Sequence, residues 1–176
     1  NVANISNLEK LRIPETDALV TGTKKLPLVV LTADCLPIML YDPTKKVIGI
    51  VHAGYKGLLK QIIGNTVKRF ITEFCSKPAD IIVGIGPSIE ISCYEVGEEV
   101  ISKFNKSFPT FTNMYETKED HYFLNLREIA RQSLMKEGIQ KENIEIIDMC
   151  TKCSENFYSY RGGDVNGRFA SIISLV

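Results

Sequence analysis

Two rhythms of apolar and polar residues alternate along the chain, and the switching between them predicts an α/β fold. Leu28–Ala33 (LVVLTA) is a short continuous apolar run, as expected of a strand buried on both faces. The run resumes at Pro37–Tyr41 after an ADCL corner. Asp42-Pro43-Thr44-Lys45-Lys46 then predicts a turn into Val47–His52 (VIGIVH), the second strand of a hairpin. From Leu58 to Phe74 the apolar positions fall at helical spacing and predict one long amphipathic helix. Ile81–Ile85 reads as another buried strand ended by Gly86-Pro87, and Glu98–Phe104 as a short helix. Asn125 through Glu137 carries the signals of a second long helix. Asn125 is the expected N-cap, Glu128 the reciprocal capping residue and Gly138 the terminator. Ile144–Asp148, Phe157–Tyr160 and Phe169–Leu175 complete the expected strands, and the opening NVANI also has strand character. No linker or repeat interrupts the pattern. The expectation is a single α/β domain over residues 1–176 with a mixed sheet or sheets.

Composition narrows the function classes. A chain with 44% hydrophobic residues can bury a sizeable core. Lys+Arg and Asp+Glu both number 21, which gives no broad basic surface for nucleic acid or acidic membranes. No apolar run approaches the length that spans a bilayer. The five cysteines, Cys35, Cys75, Cys93, Cys150 and Cys153, are an odd number without a secretory spacing, so reduced thiols in a cytoplasmic protein are expected. The chain opens on Asn1 rather than Met and enters a strand directly, so an N-terminal segment is expected to be missing.

Chemistry concentrates between Leu31 and Gly57. Cys35 follows Asp34 at a strand end, where α/β proteins deliver catalytic residues, although a packing cysteine reads the same way. His52 closes its strand and opens H-A-G-Y-K-G. Gly54 and Gly57 allow sharp turns ahead of the long helix, whose N–H groups would face an anion, and Lys56 adds a positive charge. A satisfied core histidine beside a glycine turn is the competing reading. Cys150-Thr-Lys-Cys153 invites zinc, but structural zinc needs two further ligands and only one such pair exists. Cys93 by itself reads as a packing cysteine and His121 as a solvated one. Arg161, after FYSY, suits a phosphate or a surface carboxylate.

Taken in order, T-A-D-C-L-P-I, V-H-A-G-Y-K-G, I-G-P-S-I, S-C-Y-E-V-G, C-T-x-x-C, F-Y-S-Y-R and G-R-F-A-S resemble the YfiH-like laccase-domain family. That family is also called multicopper polyphenol oxidases and is now regarded as purine nucleoside phosphorylases. The resemblance runs from Thr16 onward. It implies an α/β/β/α layered sandwich and one zinc held by a cysteine and two histidines. Cys35 and His52 match two of these ligands, while the third belongs to a Q-x-H motif expected upstream of Asn1. The resemblance further implies phosphorolysis of purine nucleosides (adenosine, inosine, methylthioadenosine), with possible deamination of adenosine. On this sequence Cys35, His52 and Arg161 are then the catalytic candidates, and Lys56 with the N–H groups around Gly54 and Gly57 the phosphate or substrate binders. The ring of His52 is expected to be oriented by Asp34 or a backbone carbonyl. Purine nucleoside and phosphate are the expected partners, without nucleic acid or membrane.

Three alternatives stay open at this stage. Cys35 could be a nucleophile with His52 as its base, in a hydrolase linked to peptidoglycan precursors. Copper-dependent phenol oxidation is disfavoured, because a histidine-poor chain lacks the ligands multi-electron oxygen reduction needs. The domain could also be catalytically degenerate, a reading left open by Tyr55 and Gly162, which depart from the family's usual H-A-G-W-R-G and S-Y-R-R, and by the missing third histidine.

Overall fold

The architecture was analysed in a computed structural model, which describes residues 1–6 and 13–176. Its centre is the expected hairpin, β4 (Leu36–Asp42) paired antiparallel with β5 (Val47–Ala53). The buried carboxylate of Asp42 accepts from the Thr44 and Lys45 N–H groups at 2.8 and 2.9 Å and closes the turn. With β1 (Val2–Asn4), β2 (Ala18–Thr21), β6 (Ile82–Ile85) and β10 (Ile144–Ile146) they form a six-stranded mixed sheet, in the order β1-β2-β5-β4-β6-β10.

Alternate residues of β4 and β5 serve two different cores. Leu36, Ile38, Leu40, Val47 and Val51 face α2 (Ile62–Phe74) and α4 (Leu126–Lys136). Ile48, Ile50, Met39 and Tyr41 face a two-stranded sheet, β3 (Leu28–Thr32) with β11 (Phe169–Ile173). The class is therefore mixed α/β, with helices against one face of the large sheet and a second sheet against the other. Between β5 and α2 lies the short helix α1 (Tyr55–Leu59). A third sheet orders β7 (Glu95–Val96), β9 (His121–Leu124) and β8 (Tyr115–Lys118) beside α3 (Glu98–Ser107).

Several expectations need correction. β3 is not buried on both faces: Val29 and Leu31 are exposed, because only Leu28, Val30 and Thr32 turn toward the large sheet. The apolar run over Leu58–Phe74 is not one helix. Gln61 takes a left-handed φ of 55°, which separates α1 from α2, and the side chain of Asn65 caps the Lys60 carbonyl that the break frees. Asn125 does cap α4, accepting from the Glu128 N–H at 3.1 Å. The reciprocal half is absent, since the Glu128 carboxylate accepts from Arg131 and Gln132 and the Asn125 N–H goes to the Met114 carbonyl. Gly138 ends the helix with φ 92°, as expected. Phe157–Tyr160 forms no strand. Ser159 and Asp164 lock it into a turn, the Ser159 N–H donating to Asp164 and the Gly162 N–H to the Ser159 hydroxyl.

Candidate active site

The motifs scattered over 130 residues of sequence meet at one end of the β4–β5 pair. Between β3 and β4 the chain crosses from the small sheet to the large one, and Asp34 takes φ 84° at that corner. Aspartate tolerates the left-handed region better than most residues, and here its surroundings hold it there. The Asp34 carbonyl accepts from the Ile89 N–H at 2.9 Å. Its buried carboxylate accepts from the Thr151 hydroxyl at 2.7 Å and the Arg161 N–H at 2.8 Å. One aspartate thus joins the IGPSI, CTKC and FYSYR segments. Gly86 completes the junction: its N–H donates to the Pro37 carbonyl, and a Cβ there would lie 2.9 Å from the Pro37 ring.

Cys35 and His52 come to neighbouring strand ends. Pro37 and His52 are opposite one another in the ladder, and both continue the rows that face the small sheet. One step further, Cys35 and Gly54 approach so closely that a Cβ on Gly54 would lie 2.8 Å from the Cys35 sulfur. The glycine is required for that contact rather than for its backbone, whose φ of −83° any residue adopts. Burial and then the neighbouring Asp34 push the Cys35 thiol up to about 11, while the Arg168 guanidinium acts in the opposite sense. At neutral pH the thiol is protonated, which disfavours its use as an unaided nucleophile.

His52 is anchored by Asp17. Its N–H donates to the Asp17 carbonyl at 2.7 Å, and its Nδ1 lies 3.4 Å from the Asp17 carboxylate. Asp34, one of the two partners expected for this ring beside a backbone carbonyl, is occupied elsewhere. With Nδ1 turned to Asp17, Nε2 is the nitrogen available to a ligand.

Arg161 lies over the Tyr94 ring at 4.8 Å and donates to the Glu95 carbonyl at 2.7 Å. Tyr94 is itself pushed up to about 12, first by burial and then by Cys35, with Arg161 opposing. Lys56 is exposed, its ammonium 5.8 Å from the Tyr55 ring. Gly57 does not precede the long helix as expected. It lies inside α1, where a Cβ would meet Ile62 at 3.4 Å, so its N–H belongs to a five-residue helix. His121 is exposed in β9 and contacts Glu95 at 2.7 Å. It joins no three-donor cluster with Cys35 and His52 among the described residues.

Residues without a role in the sequence-based reading also prove important. Asp17, Tyr94 and Arg168 surround Cys35 and His52. Arg127 at the start of α4 pins Ser88, Asp148 and Met149 together with four hydrogen bonds. Tyr94 and Arg168 lay within quoted motifs, whereas nothing local marked Asp17 or Arg127. A cavity of about 500 Å³ is lined by Asp17, Gly57 and the basic residues Lys60, Lys68 and Arg69. Cys35 and Arg161 do not line it, so volume alone does not identify the chemical site.

A second group of donors forms nearby. Cys93, Cys150 and Cys153 place their sulfurs within 4.8 Å of one another, with Cys93 and Cys153 at 3.3 Å. Sequence spacing supplied only the Cys150–Cys153 pair; the fold delivers the third thiol from 60 residues away. All five cysteines are free thiols, and among the described residues no helix is long and apolar enough to cross a membrane.

Comparison with known proteins places the fold and the family. The family described as multi-copper polyphenol oxidoreductase laccase matches residues 1–176. YlmD of Bacillus subtilis, named a purine nucleoside phosphorylase, is 36% identical over 91% of this chain and 59% of its own length. A Clostridium acetobutylicum protein with the same designation is 37% identical over 90% of this chain and 66% of its own. The chain therefore spans about three fifths of the length of these relatives. Among solved structures, YlmD from Geobacillus stearothermophilus superimposes with a TM-score of 0.91 at 28% identity, over 99% of this chain and 69% of that one. YfiH of Bacillus licheniformis gives 0.86 at 38% identity, over 92% and 62%.

Proposed function

The chain belongs to the multi-copper polyphenol oxidoreductase laccase family, and from that membership we propose that it is a zinc-dependent purine nucleoside phosphorylase. Adenosine, inosine and methylthioadenosine are the proposed nucleosides, with deamination of adenosine as a secondary activity. The names of the relatives support the reaction class. The observation that supports the reading for this chain is the placement of Cys35 and His52 at neighbouring strand ends, with Tyr94 near Cys35 and Arg161 stacked on Tyr94.

The donor set fits zinc as far as it goes. A soft thiol and an imidazole suit the ion, and the glycine opposite the sulfur leaves the thiol room. A third donor is not grouped with them among the described residues. When bound, zinc would draw the Cys35 proton off and supply a Lewis-acidic position beside the substrate.

The chain's own residues do the rest. Asp17 engages Nδ1 of the His52 ring and leaves Nε2 free for a ligand. Arg161 and Lys56 offer positive charge to phosphate, Arg161 from a fixed position over Tyr94 and Lys56 from a mobile one. The Gly54 and Gly57 N–H groups are proposed to assist. In phosphorolysis a phosphate oxygen forms a bond to the ribose C1′, the C1′–N9 bond breaks, and the purine leaves with its electron pair and takes up a proton. In deamination, water adds at C6 and ammonia leaves.

The test is incubation of the intact protein with adenosine, with and without phosphate, beside a zinc determination. Phosphate-dependent release of adenine and ribose 1-phosphate is expected. Inosine appearing equally in both arms would make the enzyme a deaminase. No turnover of any of the three nucleosides by zinc-loaded protein would overturn the proposal.

A further inference from the structure

The structure points to a second metal site: we propose that Cys93, Cys150 and Cys153 bind one thiophilic d10 cation, zinc(II) or copper(I), and that it clamps the two loops bordering Cys35. The site does not depend on the reading of Cys35 and His52, with which it shares no donor.

Geometry carries the assignment. Three sulfurs at about 2.3 Å from one ion in a trigonal or tetrahedral arrangement lie roughly 3.8–4.0 Å apart. Here all three are within 4.8 Å and the shortest separation is 3.3 Å. These separations bracket the required triangle, and the exposed Cys153 side chain is free to adjust toward it. Thiolates are the ligands that select these ions over harder ones.

The thiols are also held independently of any ion. Cys150 forms a bridge with Ser88, and the Glu90 N–H points at its sulfur from 3.5 Å. A donor in that position stabilises a thiolate and is the type of outer contact that fixes metal ligands. The Cys93 N–H donates to the Glu90 carbonyl at 3.0 Å, so residue 90 positions two of the three donors. Thr151, between the two CTKC cysteines, is tied to Asp34. An ion here would cross-link the Cys93 turn to the Cys150–Cys153 turn and so restrain Thr151, Asp34 and Tyr94. Binding releases the thiol protons to solvent and requires no oxidant.

Metal binding should be measured on the intact, fully reduced protein in a Cys35→Ser background, which removes the sulfur of the other proposed site. Three probes are used: zinc(II), copper(I) under anaerobic conditions, and cobalt(II) as an optical reporter of thiolate coordination. One equivalent with a thiolate-to-cobalt charge-transfer band is expected. Adding Cys93→Ser, Cys150→Ser or Cys153→Ser should weaken binding by more than about 100-fold, beyond the loss usual for an outer-contact change. Cys153 is exposed, so its variant controls for folding: the metal-free melting temperature should not change, while the increase on adding metal should disappear. Preference for zinc or for copper(I) identifies the ion, and either supports the site. The proposal is overturned if the Cys35→Ser protein takes up neither ion, or if Cys153→Ser binds as tightly as its parent. It is also overturned if a Cys93–Cys153 disulfide forms in air and the re-reduced protein binds no cation.

Discussion

Asp34 and Thr151 lie 117 residues apart, and their side chains meet in a buried hydrogen bond of 2.7 Å. The same carboxylate also receives the Arg161 N–H, so one residue holds together loops from three parts of the chain. Asp34→Ala should therefore cost about 2–4 kcal/mol, because it strands the buried Thr151 hydroxyl, frees the Arg161 N–H and places alanine at a positive φ. Asp34→Asn keeps one acceptor and the tolerance for that backbone and should cost less than half as much. Urea denaturation of the pair of variants measures the difference; equal losses would remove the carboxylate from its role as a staple.

Gly54→Ala tests the contact between strand ends. The backbone accepts alanine without strain, yet the added methyl would lie 2.8 Å from the Cys35 sulfur. Zinc affinity and phosphorolysis are expected to fall at least about 10-fold, since displacement of a ligand by a fraction of an ångström weakens a site this much. Global stability should fall by only about 1 kcal/mol. Unchanged zinc affinity would show that the sulfur is not a ligand.

The Cys35 thiol, pushed up to about 11, should be slow to alkylate in metal-free protein at neutral pH. Site-resolved iodoacetamide labelling is expected to accelerate from pH 9 toward 11. Because the raised value favours the neutral form in the folded state, its stabilising contribution is complete below pH 9. It disappears as the pH rises toward 11. Rapid labelling of Cys35 at pH 7 would instead favour the nucleophile reading.

Asp17→Asn should weaken zinc binding by about 10–100-fold, the usual effect of removing a carboxylate behind a ligating imidazole. The His52 backbone bond to the Asp17 carbonyl survives the change, so the fold should not be affected. Competition with a chromogenic chelator measures the affinity, and an unaltered constant would detach Asp17 from the site.

Arg161→Ala leaves the main-chain N–H that binds Asp34 in place, so the turn should persist. The Michaelis constant for phosphate is expected to rise at least about 10-fold. Arg161→Lys should recover only part of this, because lysine lacks the planar fork that both stacks on Tyr94 and donates to Glu95. Phosphate saturation curves for the two variants decide it: identical Michaelis constants and turnover in wild type and Arg161→Ala would leave Arg161 a purely structural role.

Much of the frame was legible because its signals are local. The β4–β5 hairpin, strand β6 and the cap and stop of α4 follow from runs of apolar residues and from turn chemistry at Asp42, Asn125 and Gly138. Errors arose where a distant contact outweighed a local pattern. The apolar spacing of Leu58–Phe74 continues across Gln61, yet the chain breaks there, and β3 carries Val29 and Leu31 to solvent although its sequence resembles that of a buried strand. FYSYR has strand composition, but Ser159 and Asp164 hold it in a turn.

The sequence by itself determined the mixed α/β class, the strand ends that carry Cys35 and His52, and the order of motifs that points to the family. Only the tertiary structure decided that Asp17 rather than Asp34 supports His52, that Tyr94 lies beneath Arg161, and that Cys93 joins Cys150 and Cys153. Local propensity is set by neighbours along the chain, whereas these partners lie tens of residues apart. They meet because burying both faces of one sheet brings its connecting loops to a common edge.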